Sequence, residues 1–240
     1  MVGVILAAGD GRRLKESSKE DCCKPLIKLK GKRLIEYALD NLIDLGISKA
    51  YIVVGKEGDL IKKNLGEQYN VLKLIYVVQA QQTGLINAFM QAISFIDSDE
   101  SVVLQLSDEI FVDLKIQDIK EKTASKEYDF YCGITYDNDA EKIKNNFSVD
   151  TDEKGNLTVC VEKPVEVINN IKGTGFCIFS SQAVQVLREN YPISQNISDL
   201  CDYMNFLISE NKKGLALHIA EKEFNINTFS DLYEVQTYFE

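Results

Sequence analysis

The chain opens on an apolar run. Residues 2–7 read Val-Gly-Val-Ile-Leu-Ala, with no polar side chain among them. A run without polar alternation predicts a first strand buried on both faces. From 34 to 45 the spacing changes. Apolar residues at 34, 35, 38, 39, 42, 43 and 45 recur at helical intervals, and Gly46 is placed to stop the helix. Residues 50–54 read as a second strand closed by Gly55, with a short helix marked by Leu60, Ile61 and Leu65. Residues 72–78 are apolar and β-branched and read as a third strand. A helix runs from 85 through 95, and a fourth strand spans 101–106. Strands alternating with helices predict βαβ units in a mostly parallel sheet. In such sheets ligands bind beyond the carboxyl ends of the strands. That rule directs attention to the loops after Ala7, Gly55, Val78 and Leu106.

The remaining segments are less regular. A short strand is predicted at 26–29, a helix at 113–124 and a strand at 128–136. Residues 137–146 are polar and read as an exposed excursion. Residues 147–150 and 157–161 read as a hairpin around Asp152-Glu153-Lys154-Gly155. A strand through Cys177-Ile178-Phe179, helices at 181–190 and 198–210, a strand at 215–220 and a closing helix complete the chain.

Length and charge narrow the possibilities. The 240 residues suffice for one sizeable core, and a single α/β domain over 1–240 is expected. Formal charge is −10, from 27 basic and 37 acidic residues, which argues against non-specific nucleic-acid binding. No apolar run approaches the ~20 residues needed to span a bilayer. The first apolar run is too short, and has no basic segment before it, for a signal peptide. A cytoplasmic protein without membrane attachment is expected. The six cysteines form no C-x-x-C pair and read as small buried hydrophobes.

Five short stretches carry candidate chemistry. After the first strand comes Ala8-Gly9-Asp10-Gly11-Arg12-Arg13-Leu14, then Lys24-Pro25-Leu26. Backbone N–H groups in a glycine turn can form an anion-binding concavity, and three cations follow. The pattern is not G-x-x-x-x-G-K-[ST]. It is not G-x-G-x-x-G either, since Leu14 stands where the third glycine belongs. The other stretches are Gln79-Ala80-Gln81-Gln82-Thr83-Gly84, Ser107-Asp108-Glu109, Glu162-Lys163-Pro164 and Gly173-Thr174-Gly175-Phe176. A glutamine amide can read the edge of a base. A carboxylate at the end of a central strand can hold Mg²⁺ on phosphates. Lys163 precedes a proline and is biased to extended backbone. Each stretch alone is equally compatible with an ordinary turn or a solvated loop.

Together, and in this order, they resemble the signature of the sugar-1-phosphate nucleotidylyltransferases, L-A-[AG]-G-x-G-x-R-L…K-P-L with its later boxes. The resemblance runs from Met1 to about Asp231. It implies a Rossmann-like three-layer α/β/α fold with a mixed, mostly parallel sheet. Residues up to about 112 would bind an NTP, and 113–240 its acceptor. It implies nucleotide contacts from Leu6, Ala8, Gly9, Gly11, Arg12, Gln79 and Gly84. Arg13, Lys24 and Asp108 take the catalytic positions. Glu162, Lys163 and Gly175 take those that contact the acceptor. Mg²⁺ is the implied cofactor, on Asp108 and a second ligand in the tail, where Asn225, or Asn227 on a shifted reading, replaces the family's usual acid. Glu109 replaces a neutral residue; it either adds a carboxylate or faces solvent. The implied reaction joins the NMP unit of an NTP to a phosphorylated small molecule and releases pyrophosphate. A homo-oligomer is compatible with the sequence. The compact length also suits cytidylyltransferases acting on a non-sugar phosphate or phosphonate such as phosphocholine. A non-catalytic nucleotide sensor is the third reading.

Overall fold

Every residue of β1 (Val2–Ala7) is buried. Val4 and Leu6 belong to one apolar layer, Ile5 and Ala7 to the opposite one. A strand covered on both faces has no use for polar alternation, which accounts for its composition. The computed structural model describes residues 1–9, 11, 14, 23–81, 84–191 and 197–240. β1 lies inside a parallel run. β7 (Val102–Leu106) flanks it on one side, and β4 (Lys49–Val54) then β6 (Leu72–Val78) on the other. The carboxyl ends of these four strands therefore share one edge of the sheet.

The remainder of the sheet turns antiparallel. β12 (Ile171–Phe179) pairs with β7 through its last three residues. Its first residues pair with β10 (Phe147–Thr151), which continues to β11 (Leu157–Glu162). β9 (Phe130–Tyr136) also pairs with β12 and runs parallel to β13 (Gly214–His218). The short β5 (Gln68–Tyr69) pairs antiparallel with β6. The result is the mixed α/β/α architecture expected.

Two helical layers cover the sheet. α1 (Leu34–Asp44), α2 (Gly58–Leu65) and α4 (Ile116–Ala124) bury their apolar residues in one core. α3 (Leu85–Ile93), α6 (Ser181–Asn190) and α7 (Leu200–Ser209) bury theirs in the other. The five described cysteines are buried, as small apolar residues would be.

Several local expectations change. Residues 137–146 are not simply an excursion. They hold α5 (Ala140–Lys144), capped by the Asp139 carboxylate, which accepts from the Glu141 N–H, and anchored by the buried Ile143. One buried apolar residue in five gives no periodic signal. The strand expected at 26–29 is divided: Lys24–Leu26 is a 3₁₀ turn with Pro25 near its start. Only Lys28–Leu29 (β2) extends, pairing with β3 (Lys32–Arg33). The stretch after Asp108 continues as β8 (Glu109–Val112), antiparallel to β14 (Lys222–Asn225). Ile110 and Phe224 pack with Leu232 and Val235 of α8 (Phe229–Tyr238) in a third apolar cluster. This ribbon carries the tail of the chain back to Asp108.

Candidate active site

A cavity of about 460 Å³ opens at the carboxyl ends of β1, β6 and β7. Leu6, Ala8, Gly9 and Gly11 line it from the first turn, Gln79 and Gly84 from the loop after β6, and Ser107 and Asp108 from the end of β7. The loop at Gly55, expected among the four, does not line it. The Gln79 N–H donates to the Val54 carbonyl at 2.8 Å and so continues the β4–β6 ladder one residue past β6. Arg12 and Arg13 lie outside the described residues.

Lys24 is brought in by its 3₁₀ turn and is almost wholly buried. Its ammonium pairs with Asp108 Oδ2 and reaches Asn227 Oδ1 at 3.4 Å. Asp108 stands in the turn between β7 and β8, and its carbonyl accepts from the Ile226 N–H at 2.9 Å. The amino-terminal lysine, the mid-chain aspartate and the carboxyl-terminal asparagine thus meet in one cavity wall.

Gln79 is buried, with Nε2 donating to Asn87 Oδ1 (3.1 Å) and to the Gly84 carbonyl (3.3 Å). Gly84 has φ +116°, a region open to glycine, and a Cβ there would come 3.0 Å from the Ser198 carbonyl oxygen. Glycine is therefore required where α3 begins.

Glu109 neither faces solvent nor joins Asp108 in the cavity wall. It is buried, and both its carboxylate oxygens accept from the Gly175 N–H, at 2.9 and 2.8 Å. The cause lies in β12. Its register against β9 shifts between Gly173 and Cys177, so the Gly175 N–H has left the ladder and needs another acceptor. Burial, then the charges of Glu223 and Asp108, push the Glu109 carboxyl well above the ordinary carboxylate range. A Cβ on Gly175 would lie 2.3 Å from Leu106 Cγ, and Leu106 is a wall of the cavity.

The tail residues separate. Asn227 lines the main cavity, whereas Asn225 lines a smaller one beside it. Asn227 Nδ2 donates to Asn225 Oδ1 (2.8 Å), and Asn225 Nδ2 to Asn146 Oδ1 (3.0 Å). The Asp231 carboxylate, capping α8, fixes this turn through the N–H groups of Asn227 and Thr228. Glu162 and Lys163 line neither cavity. Lys163 has φ +45° rather than the extended backbone expected before proline; its N–H donates to the Asn146 carbonyl at 2.8 Å, and that bond holds the turn. Its ammonium is 3.3 Å from Glu162, whose carboxyl burial pushes up against the pull of Lys163. Sequence reading passed over Lys172 and Glu223, buried at 3% and 1% side-chain exposure and paired with one another. No signal marked them, because residues 171–172 and 222–225 carry no strand pattern against which an inward charge would stand out.

An α/β/α sheet with a glycine turn, a lysine and an aspartate at its strand tips defines a protein of the nucleotide-handling class. Residues 2–239 match the family model described as Nucleotidyl transferase, and the chain belongs to that family; it is a nucleotidyltransferase. It is 27% identical over 219 residues to the UTP–glucose-1-phosphate uridylyltransferase AglF of Haloferax volcanii, covering 91% of this chain and 88% of that one. It is 29% identical to the low-salt glycan biosynthesis nucleotidyltransferase Agl11 of the same organism, over 92% of this chain and 60% of that one. Among solved structures, a Bacillus anthracis protein assigned as a glucose-1-phosphate thymidylyltransferase, in complex with sucrose, superposes with a TM-score of 0.87. The identity is 22%, over 99% of this chain and 94% of that one. A UDP-glucose pyrophosphorylase complexed with UDP-glucose gives 0.81 at 18% identity, over 100% and 98%.

Proposed function

We propose that the enzyme transfers the NMP unit of an NTP to a sugar 1-phosphate and releases pyrophosphate. The observation that supports this best is the Lys24–Asp108 pair in the cavity at the tips of β1 and β7. The relatives named as sugar-phosphate nucleotidylyltransferases suggest the acceptor class.

In this reading an acceptor phosphate oxygen attacks the α-phosphorus. The bond to the β-phosphate breaks, and its electron pair leaves with pyrophosphate. The acceptor phosphate is already anionic, so no general base is required. Positioning and charge neutralisation carry such chemistry. Leu6, Ala8, Gly9, Gly11 and Arg12 take the phosphates and ribose, and Gln79 and Gly84 take the base. Lys24 and Arg13 stabilise charge developing on the leaving group. Glu162, Lys163 and Gly175 belong to the acceptor side, in residues 113–240; residues 1–112 form the nucleotide side. Work in the cytoplasm is part of the proposal.

Mg²⁺ suits the donor set. Lys24 pairs with Asp108 Oδ2 and reaches Asn227 Oδ1 at 3.4 Å, and Asn225 Oδ1 accepts from Asn227 Nδ2 at 2.8 Å. The carboxylate and amide oxygens are hard donors, and among the described residues no three acidic, histidine or cysteine side chains gather to hold a metal alone. Such a set fits an ion that binds through one or two protein ligands plus substrate phosphates. We assign it to Asp108 and one of the two tail amides, Asn225 or Asn227. When bound, it neutralises phosphate charge.

The test is pyrophosphate release with each of the four common NTPs against hexose 1-phosphates and phosphocholine. Release with one NTP and a hexose 1-phosphate is expected. Release with phosphocholine alone moves the acceptor to a non-sugar phosphate. Nucleotide binding without release from any pair makes the protein a sensor and ends the proposal.

A further inference from the structure

Gln79 is fixed twice. Its backbone N–H extends the β4–β6 ladder, which sets the chain where it leaves the sheet. Its side-chain Nε2 donates to the Gly84 carbonyl at 3.3 Å and to Asn87 Oδ1 at 3.1 Å. A primary amide has two N–H donors and one carbonyl oxygen. Both donors are therefore committed within the protein.

The direction of this amide follows from its neighbours. A backbone carbonyl only accepts, so the atom facing Gly84 is the nitrogen. The second hydrogen on Nε2 then needs an acceptor, so the atom of Asn87 that faces it is Oδ1. Asn87 Nδ2 is left on the far side, where it donates to the Tyr191 hydroxyl at 3.0 Å. One carbonyl thus orients the whole chain of bonds. Asn87 stands in the first turn of α3, and Tyr191 caps the carboxyl end of α6. Arg188, a turn before Tyr191, ties α6 to α3 a second time, donating to the Ile93 carbonyl at 2.7 Å. What remains of Gln79 is Oε1. Among the described residues no group donates to it, and it is not sealed in the interior as Gln105 Nε2 is. Gln79 lines the cavity at the strand tips, whereas Asn87 and Tyr191 do not.

We propose that Asn87 and Tyr191 are positioning residues for the nucleobase. By using up the donors of Gln79 they leave it an acceptor alone toward the cavity, which favours bases with a ring N–H. Uracil and thymine carry that hydrogen on N3, and guanine on N1. Cytosine and adenine have a lone pair at the corresponding place, which would meet the lone pairs of Oε1 and leave both unsatisfied. Their exocyclic amines lie displaced along the base edge. The inference rests on the transferase reading above and adds to it two residues outside the cavity lining.

Calorimetry with Mg²⁺ and no acceptor reads the base without turnover. The probes are UTP, dTTP, GTP, CTP and ATP. The tightest binder is expected to carry a ring N–H and to lead CTP and ATP by about tenfold, the worth of one hydrogen bond. Methylation of that ring nitrogen should cost about the same. Asn87→Leu returns a donor to Gln79 and should bring the ratio over CTP close to one. Asn87→Asp still accepts from Nε2 and should keep the ratio. Tyr191→Phe, which loosens Asn87 without removing it, should lower the ratio partway. Should Asn87→Leu not fold, the methylated nucleotide and Tyr191→Phe carry the test. CTP or ATP bound as tightly as the best of the others overturns the proposal. So does undiminished binding of the methylated nucleotide. A folded Asn87→Leu that weakens every nucleotide equally marks Asn87 as merely structural and also overturns it. Failure of the transferase reading would show differently, as the expected ranking of bases with no pyrophosphate released from any NTP and acceptor.

Discussion

Lys24 is a buried cation whose two partners, Asp108 and Asn227, come from distant parts of the chain. Removing one preorganised charged contact to a transition state costs about 2.7–4 kcal/mol, or roughly 10²–10³ in kcat. Lys24→Ala and Asp108→Asn are each expected to lose turnover on that scale while keeping a cooperative melt. The measurements are kcat and thermal unfolding on the same preparations; near-wild-type turnover in either folded variant removes that residue from the proposed machinery. At this scale the sequence was informative. Lys24, Asp108, Gln79 and Gly84 were named from motifs, and all four line one cavity. Glu109 was not legible. Whether a carboxylate beside a strand end faces solvent or turns inward depends on an N–H orphaned in another strand.

That N–H belongs to Gly175, and the element that orphans it is β12. Over its last residues β12 pairs with both β7 and β9, but between Gly173 and Cys177 its register slips. The slip brings Gly175 against Leu106 and Glu109, with no room for a Cβ. Overpacking of this kind costs about 1–3 kcal/mol. Gly175→Ala is therefore expected to lower the melting temperature by several degrees and to press Leu106 into the cavity. Acceptor KM and NTP KM, measured beside the melt, should both rise. Unchanged values for all three would show that the bulge tolerates a methyl group. The helices and parallel strands of the first half were legible because period 3.6 and buried runs write themselves into sequence. The β8–β14 ribbon was not, because four-residue strands carry little pattern and the two come from distant parts of the chain.

For the molecule as a whole, charge decides how a metal is held. The chain carries −10, yet among the described residues the main cavity offers one carboxylate, already paired with Lys24, and neutral amides. Mg²⁺ gives up its waters reluctantly and is held by few carboxylates plus phosphates. Calorimetry with Mg²⁺ or Mn²⁺ is expected to show weak binding to the protein alone and tight binding with NTP. Asn225→Asp should strengthen the nucleotide-free binding. Tight nucleotide-free binding to the wild type would mean that another carboxylate completes the site. Among the described residues no helix is long and apolar enough to cross a membrane. The sequence by itself determined the layered α/β plan, the strand tips that carry the site and the residue types gathered there, since buried runs, helical spacing and glycine turns are local. Only the tertiary structure decided that Asn227 rather than Asn225 meets Lys24, that Glu109 satisfies Gly175, and that Lys172 and Glu223 share a second cavity. Each of those contacts joins residues far apart in the chain, and its partner is chosen by strand register and by the need to satisfy buried polar atoms, neither of which local pattern records.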